Sequence, residues 1–281
     1  MNQPTKYVRN GVVLKKRKRQ PKSNDLILPA IHPNAGIEAA YRKKLLALVD
    51  EMHNSLVYWM TASYRQNMAM DDSPVDEMVK RMGRLGDQWL SRFESGSLKL
   101  AEWFAGTNRS YTDGTLMKIL KDAGIAIDFK MTDTMKVAYS AVLHENVGLI
   151  RSIAEQHLRE VEGLVLRSVQ QGRNLGDLAD ELQRRYDLTR KRAALISRDQ
   201  NNKATSAMNR ARQLDLGIKQ AVWKHSHAGK KPRPSHVAFN NHVYDVEKGA
   251  YLDGVWTHPG QEINCRCTSR SVLPGVKRMS I

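Results

Sequence analysis

Five of the nine histidines and both cysteines of this 281-residue chain lie beyond residue 220: His225, His227, His236, His242, His258, Cys265 and Cys267. These side chains bind zinc, or serve as nucleophile and base. On an extended backbone residues i and i+2 share a face. Cys265 with Cys267 then offers two thiolates and His225 with His227 two imidazoles, together a full zinc ligand set. The spacing departs from the C-x-x-C turn of most structural zinc sites. The competing expectation is that the cysteines pack as small apolar groups and the histidines bond backbone or solvent, with no cofactor.

Phosphodiester or acyl chemistry would draw on His225, Arg233, His236 and Cys265, in the manner of a metal-dependent or ribonuclease-like enzyme. Known catalytic spacings are missing. His144-Glu145-Asn146-Val147-Gly148 lacks the second histidine of H-E-x-x-H, and Gly229-Lys230-Lys231 lacks both the earlier glycine and the following hydroxyl of a phosphate loop. Acids are scarce here: Asp245, Glu247, Asp253 and Glu262 are the only ones after residue 216. A binding role is therefore expected, and not an enzyme. The stiff run Pro232-Arg233-Pro234-Ser235 is expected to place Ser235 as the cap of a short helix holding His236 and Phe239. Arg233, fixed beside that start, would take a carboxylate or carbonyl inside the module or a phosphate outside it.

The elements that must carry these residues are read from periodicity. Ile37, Tyr41, Leu45, Leu48, Met52, Leu56 and Trp59 form a helical stripe. A second helix should start after Ser73-Pro74 and run toward Phe104, followed by a loop over 106–114, a short helix over 116–121 and an extended piece over 125–129. Thr132 reads as the N-cap of a helix through Leu143. Leu149, Ile153, Leu158, Val161, Val165 and Val169 mark another, ending at Gly172. Over 175–212 the pattern is helix, turn at Asp187-Leu188-Thr189, helix. This is the outline of a helix-turn-helix with Arg190, Lys191, Arg192 and Arg198 on its second member, and so a DNA-binding alternative. Gly217 stops the last helix. Short runs of Gly, Pro, His and aromatics then imply a small α+β module over 218–274.

Forty-five Lys and Arg against twenty-nine Asp and Glu leave a net charge of +16, which favours a polyanionic partner. Eight of the basic residues fall in the first 22 positions without a single acid, Lys15, Lys16, Arg17, Lys18 and Arg19 consecutively. That tail is expected to touch nucleic acid or an acidic protein surface. Pro29 and Pro33 mark a linker behind it. No apolar run approaches the ~18 residues of a membrane span and the start is too charged for a signal peptide, so a protein made in a reducing cytosol is expected. Two cysteines are too few for a disulfide framework.

Taken in order, Trp223, His225-Ser226-His227, Gly229-Lys230, Pro232-Arg233-Pro234-Ser235-His236, Gly249, Gly254, Pro259-Gly260 and Ile263-Asn264-Cys265-Arg266-Cys267 form a long ordered signature. It resembles the C-terminal domain of the phage Mu F-like head morphogenesis proteins, a family of minor head (capsid) proteins of tailed phages. The preceding helices, with Arg198-Asp199-Gln200, resemble the family's lead-in. Many members carry an Asp a few residues after the Trp, where this chain reads His227-Ala228-Gly229-Lys230, so Arg233 needs a different partner here. The resemblance implies a portal-associated virion protein assembled in the bacterial host cytoplasm. Its partners would be the portal protein, major capsid or scaffolding protein, and packaged DNA without sequence preference. It carries over no catalytic residue and no membrane.

The resulting expectation is an α+β chain. It comprises a basic tail and linker (1–35), a mainly α-helical N-terminal domain (36–217), a Mu F-like α+β C-terminal module (218–274) and a short tail (275–281).

Overall fold

The computed structural model describes residues 7–9, 12–14, 25–67, 75–170, 175–227 and 231–274. In chain order these form β1 (Tyr7–Arg9), β2 (Val12–Leu14), β3 (Leu26–Ile27), α1 (Ala35–Asn67), α2 (Val75–Asp122), α3 (Asp133–Gln170) and α4 (Leu175–Asp215). The remainder is β4 (Gln220–Lys224), α5 (Pro234–Ala238), β5 (Val243–Asp245), β6 (Ala250–Leu252), β7 (Val255–Thr257) and β8 (Thr268–Leu273). Four long helices with short antiparallel strands before and after them are the α+β class expected from sequence. Lys15 to Arg19, Ser73-Pro74, Gly172, Ala228-Gly229-Lys230 and 275–281 lie outside the described residues.

The helices are fewer and longer than the local signals suggest. The expected loop over 106–114 is helical, inside α2. Two of its polar residues find partners on α4: Thr205 donates to Asn108 at 3.4 Å, and Arg212 grips Asp113 through two bonds of 2.7 and 2.8 Å. The expected break between residues 143 and 149 is absent because Asn146, fully buried in α3, accepts a hydrogen bond from Tyr41 at 2.9 Å. Asp187-Leu188-Thr189 is not a turn but the middle of α4. Thr189 returns its hydroxyl to the Arg185 carbonyl at 2.9 Å, as a helix-interior Thr does, so there is no helix-turn-helix here. Thr132 does cap α3, accepting from the Met135 amide at 3.1 Å. The 125–129 piece is irregular chain, not strand, and packs Ile125, Ile127 and Phe129 against Leu116 and Leu120.

The chain divides into two compact units, one of Gly36–Phe104 with Leu143–Arg198, the other of Met1–Ala35, Ala105–Val142 and Asp199–Ile281. In the first, α1 buries Ile37, Tyr41, Leu45, Val49, Met52, Leu56 and Met60. Val49 and Met60 take the places expected of Leu48 and Trp59, the latter being 43% exposed. Arg190 is spent on Asp50, and Arg192 on Gln156 and the Ser152 backbone and hydroxyl, so both are held inside this unit.

In the second unit a four-stranded antiparallel sheet has the order β3-β8-β4-β5. The segment expected as a linker therefore supplies an edge strand: Leu26 and Ile27 pair with Leu273 and Val272, and Leu28 and Ile31 are buried. β6 and β7 form a hairpin whose turn residues Asp253 and Gly254 both have positive φ, 50° and 87°, the conformation a two-residue turn needs. Ile218, Ala221, Trp223, Tyr244, Val246, Ala250, Leu252, Cys265 and Cys267 make one core. At the amino end β1 and β2 pair in antiparallel register. Among the described residues no helix is long and apolar enough to cross a membrane.

Candidate functional site

The last third of α4 prepares the site. Asp199, Asn202, Ser206, Arg210 and Gln213 recur at the helical repeat, which in sequence looks like a solvated face. Each instead bonds the C-terminal segment. Asp199 accepts the Asn264 amide at 2.6 Å, Asn202 donates to the Cys265 carbonyl at 3.1 Å, and Ser206 donates to the Pro259 carbonyl. Arg210 reaches the Val246 and Glu247 carbonyls at 2.9 and 2.7 Å, and Gln213 the Ser269 and Ser271 hydroxyls at 2.9 and 2.8 Å. Asp199, Asn202 and Ser206 thus satisfy backbone groups that the irregular 258–267 segment would otherwise bury unpaired, while Arg210 and Gln213 tie down the chain on either side of it. Asn264, at φ 60°, turns the chain so that Cys265 and Cys267 point inward and Arg266 outward.

Facing them across the core is α5. Its N-cap position is Arg233 rather than the expected Ser235, which lies inside the helix and donates to Asp253 at 2.6 Å. Pro234 in the first turn sets the start, and His236 is driven inward against Trp223. Trp223 is fully buried, and the rings of His236, Phe239 and Tyr244 stand edge-on to it at 5.1, 5.7 and 5.9 Å.

The Nδ1 of His236 comes within 3.4 Å of the Cys265 sulfur and 3.7 Å of the Cys267 sulfur. These three ligand atoms all lie within 4.8 Å of one another, the one such group among the described residues. On the other side of the ring, Nε2 faces Glu262 Oε1 at 3.6 Å. Glu262 is held by Arg233 at 3.0 Å, and Arg233 also donates to the Ile263 carbonyl at 3.1 Å. That is the internal carboxylate and carbonyl expected of this arginine. The Cys267 thiol's hydrogen bond pulls the pKa of the Cys265 thiol down, against its burial and with help from His236, and the same contact pushes Cys267 up. Burial works to lower the His236 pKa, but the Cys265 sulfur and the Glu262 carboxylate outweigh it and the net shift is upward.

His225 and His227 do not join the cysteines within that group. They pair with each other instead, rings 4.6 Å apart, the His227 amide donating to His225 Nδ1 at 3.1 Å. His225 nevertheless lines the same pocket, a cavity of about 340 Å³ bounded also by Lys231, Arg233, Asn264 and Arg266, with His236 and both cysteines in its wall. The four residues singled out for phosphodiester or acyl chemistry are thus brought to one place. His242 and His258 are occupied elsewhere, His242 stacked on Phe239 at 5.2 Å and His258 bonded to the Val246 carbonyl at 3.1 Å. Reading the cysteines as the partners of His225 and His227 missed His236, because the pairing of α5 with the 258–267 segment leaves no local spacing to read. Glu262 and the α4 stripe were missed for the same reason.

Residues 159–270 match the family described as Phage Mu protein F like protein. An uncharacterized protein of Haemophilus influenzae (strain ATCC 51907 / DSM 11121 / KW20 / Rd) is 33% identical over 134 residues, which are 48% of this chain and 29% of that relative. The chain therefore spans less than a third of the relative's length. No solved structure matches the chain.

Proposed function

We propose that the Phage Mu protein F likeness of residues 159–270 marks this chain as a minor head protein of a tailed phage, acting by docking at the portal vertex during head morphogenesis and not by catalysis. That match is the observation that carries the reading. The way the signature is used supports it: Trp223, Pro259, Gly260 and Asn264 are spent on the module's core and on its attachment to α4, as in a domain that presents a rigid surface. A contact face is at hand on the β6–β7 hairpin, where Tyr251 and Trp256 stand 5.5 Å apart and are 54% and 62% exposed. Exposed aromatics of this kind anchor protein interfaces. The basic residues of the amino end supply sequence-independent contact with packaged DNA or an acidic capsid lining. Portal protein is the principal partner, major capsid or scaffolding protein a neighbour, and the virion head the location after assembly in the host cytoplasm.

Quantitative mass spectrometry of gradient-purified particles tests this by counting the chain against portal and major capsid protein. A few copies per particle are expected. Absence from both procapsids and mature heads refutes it. A second reading rests on the alignment of Cys265, His236 and Glu262, the order of thiol, imidazole and carboxylate in a nucleophilic relay. It requires turnover that His236→Ala removes while the fold persists.

A further inference from the structure

We propose that His236 Nδ1, Cys265 Sγ and Cys267 Sγ together bind a zinc ion, leaving a fourth position that faces the pocket. Four observations converge on this, none of which depends on the chain working in a phage head. The three side chains come from two separate segments and are 2%, 3% and 5% exposed, so their convergence is built by the core. The separations from nitrogen to sulfur, 3.4 and 3.7 Å, bracket the ~3.6 Å edge of a tetrahedron with Zn–S near 2.3 Å and Zn–N near 2.0–2.1 Å. A sphere of the right size for zinc is already outlined.

The surroundings complete the pattern. As free side chains, two sulfurs compete for one imidazole nitrogen, while His236 Nε2 and Glu262 Oε1, both buried, have no hydrogen-bond partner although they face each other at 3.6 Å. With Nδ1 on a metal the ring proton must sit on Nε2, directed at Glu262. A carboxylate behind a metal-bound imidazole fixes its tautomer and orientation in this way. Arg233 holds that carboxylate from its other oxygen. On the sulfur side the Gly260 amide donates to Cys265 at 3.4 Å, a bond that favours a thiolate ligand. Two thiolates and an imidazole select zinc over hard cations such as magnesium or calcium. Bound there, the ion would tie α5 to the entrance of β8 across the Trp223 core, and the fourth position would open beside His225, Lys231 and Arg266.

Cobalt(II) titration of the reduced, full-length chain tests the proposal, with far-ultraviolet circular dichroism recording the fold of each sample. The expected result is saturation at one ion per chain, with sulfur-to-cobalt charge-transfer absorption in the near ultraviolet and the strong visible bands of tetrahedral cobalt, erased by stoichiometric zinc. Cys265→Ser and Cys267→Ser should each weaken the charge-transfer band. His236→Ala should lose tight binding and His236→Cys should regain it with a stronger sulfur band, which separates a ligand from a residue that merely packs. Folded wild-type chain showing only the weak absorption of hydrated cobalt would overturn the site. So would alkylation of its cysteines by iodoacetamide at a rate that saturating zinc leaves unchanged.

Discussion

Gly260 sits at φ 82°, where a side chain would lie 3.2 Å from both the Cys267 carbonyl and the Ser206 Cβ. Its amide also holds the Cys265 sulfur. Gly260→Ala is therefore expected to lower stability by about 1–2 kcal/mol from the left-handed backbone alone, measured by urea unfolding. An unchanged midpoint would mean that the loop readjusts freely. In the other unit His157 is fully buried, donates from Nδ1 to the Thr189 hydroxyl at 2.9 Å and leaves Nε2 without a partner. Burial first, then the neighbouring His53, pulls its pKa from 6.5 down to about 4, against a smaller upward pull from Glu160. The unfolded chain then takes up a proton at a pH where the folded one does not. Stability is complete above about 6.5 and falls as the pH drops toward about 4. His157→Gln should flatten that dependence, and an equal slope in both proteins would remove His157 as its source.

At the scale of elements, α4 is one helix in which the expected turn residues are ordinary interior positions. Leu188 is 52% exposed, so its replacement tests the backbone rather than the packing. Leu188→Pro should cost ~3 kcal/mol or more, because an interior proline removes a helix bond and clashes with the preceding turn. A true turn at 187–189 would absorb it with little change in the unfolding midpoint. Further along the same helix, Asn202→Ala leaves the Cys265 carbonyl without its donor and should cost ~1–3 kcal/mol. Differential scanning calorimetry reads both. The apolar stripe of α1 was legible from spacing alone, within one residue at Leu48 and Trp59. The continuity of α2, α3 and α4 was not. Asn108, Asn146 and Thr189 look like loop or cap residues until their partners from other helices are known.

For the molecule as a whole, the charge is uneven, with the basic run Lys15 to Arg19 carrying no acid among it. On the proposed function, replacing those five residues with Gln should weaken DNA binding equally for all sequences. The slope of log K against log salt should flatten by ~0.9 for each phosphate that the variant no longer neutralises. Electrophoretic mobility shifts over a salt series measure it. A retained slope would move the anion-binding surface elsewhere, and a preferred DNA site would favour the sequence-reading alternative.

What the sequence by itself determined is set by local and compositional physics. It covers the helical face of α1, the Thr132 cap, the stop at Gly217, the small α+β module, the basic bias, and the ordered run from Trp223 to Cys267 with its likeness to the Mu F-like family. Periodicity, φ restrictions and residue order need no partner to be read. Only the tertiary structure decided that β3 closes the sheet edge, that a polar stripe on α4 supports the 258–267 segment, and that the cysteines face His236 instead of His225 and His227. Each of those depends on which distant segment lies opposite. Those choices are made by the burial of two apolar clusters, one around Trp223 and one of Leu28, Ile31, Leu116 and Leu120, and by the need of the surrounding backbone for hydrogen-bond partners.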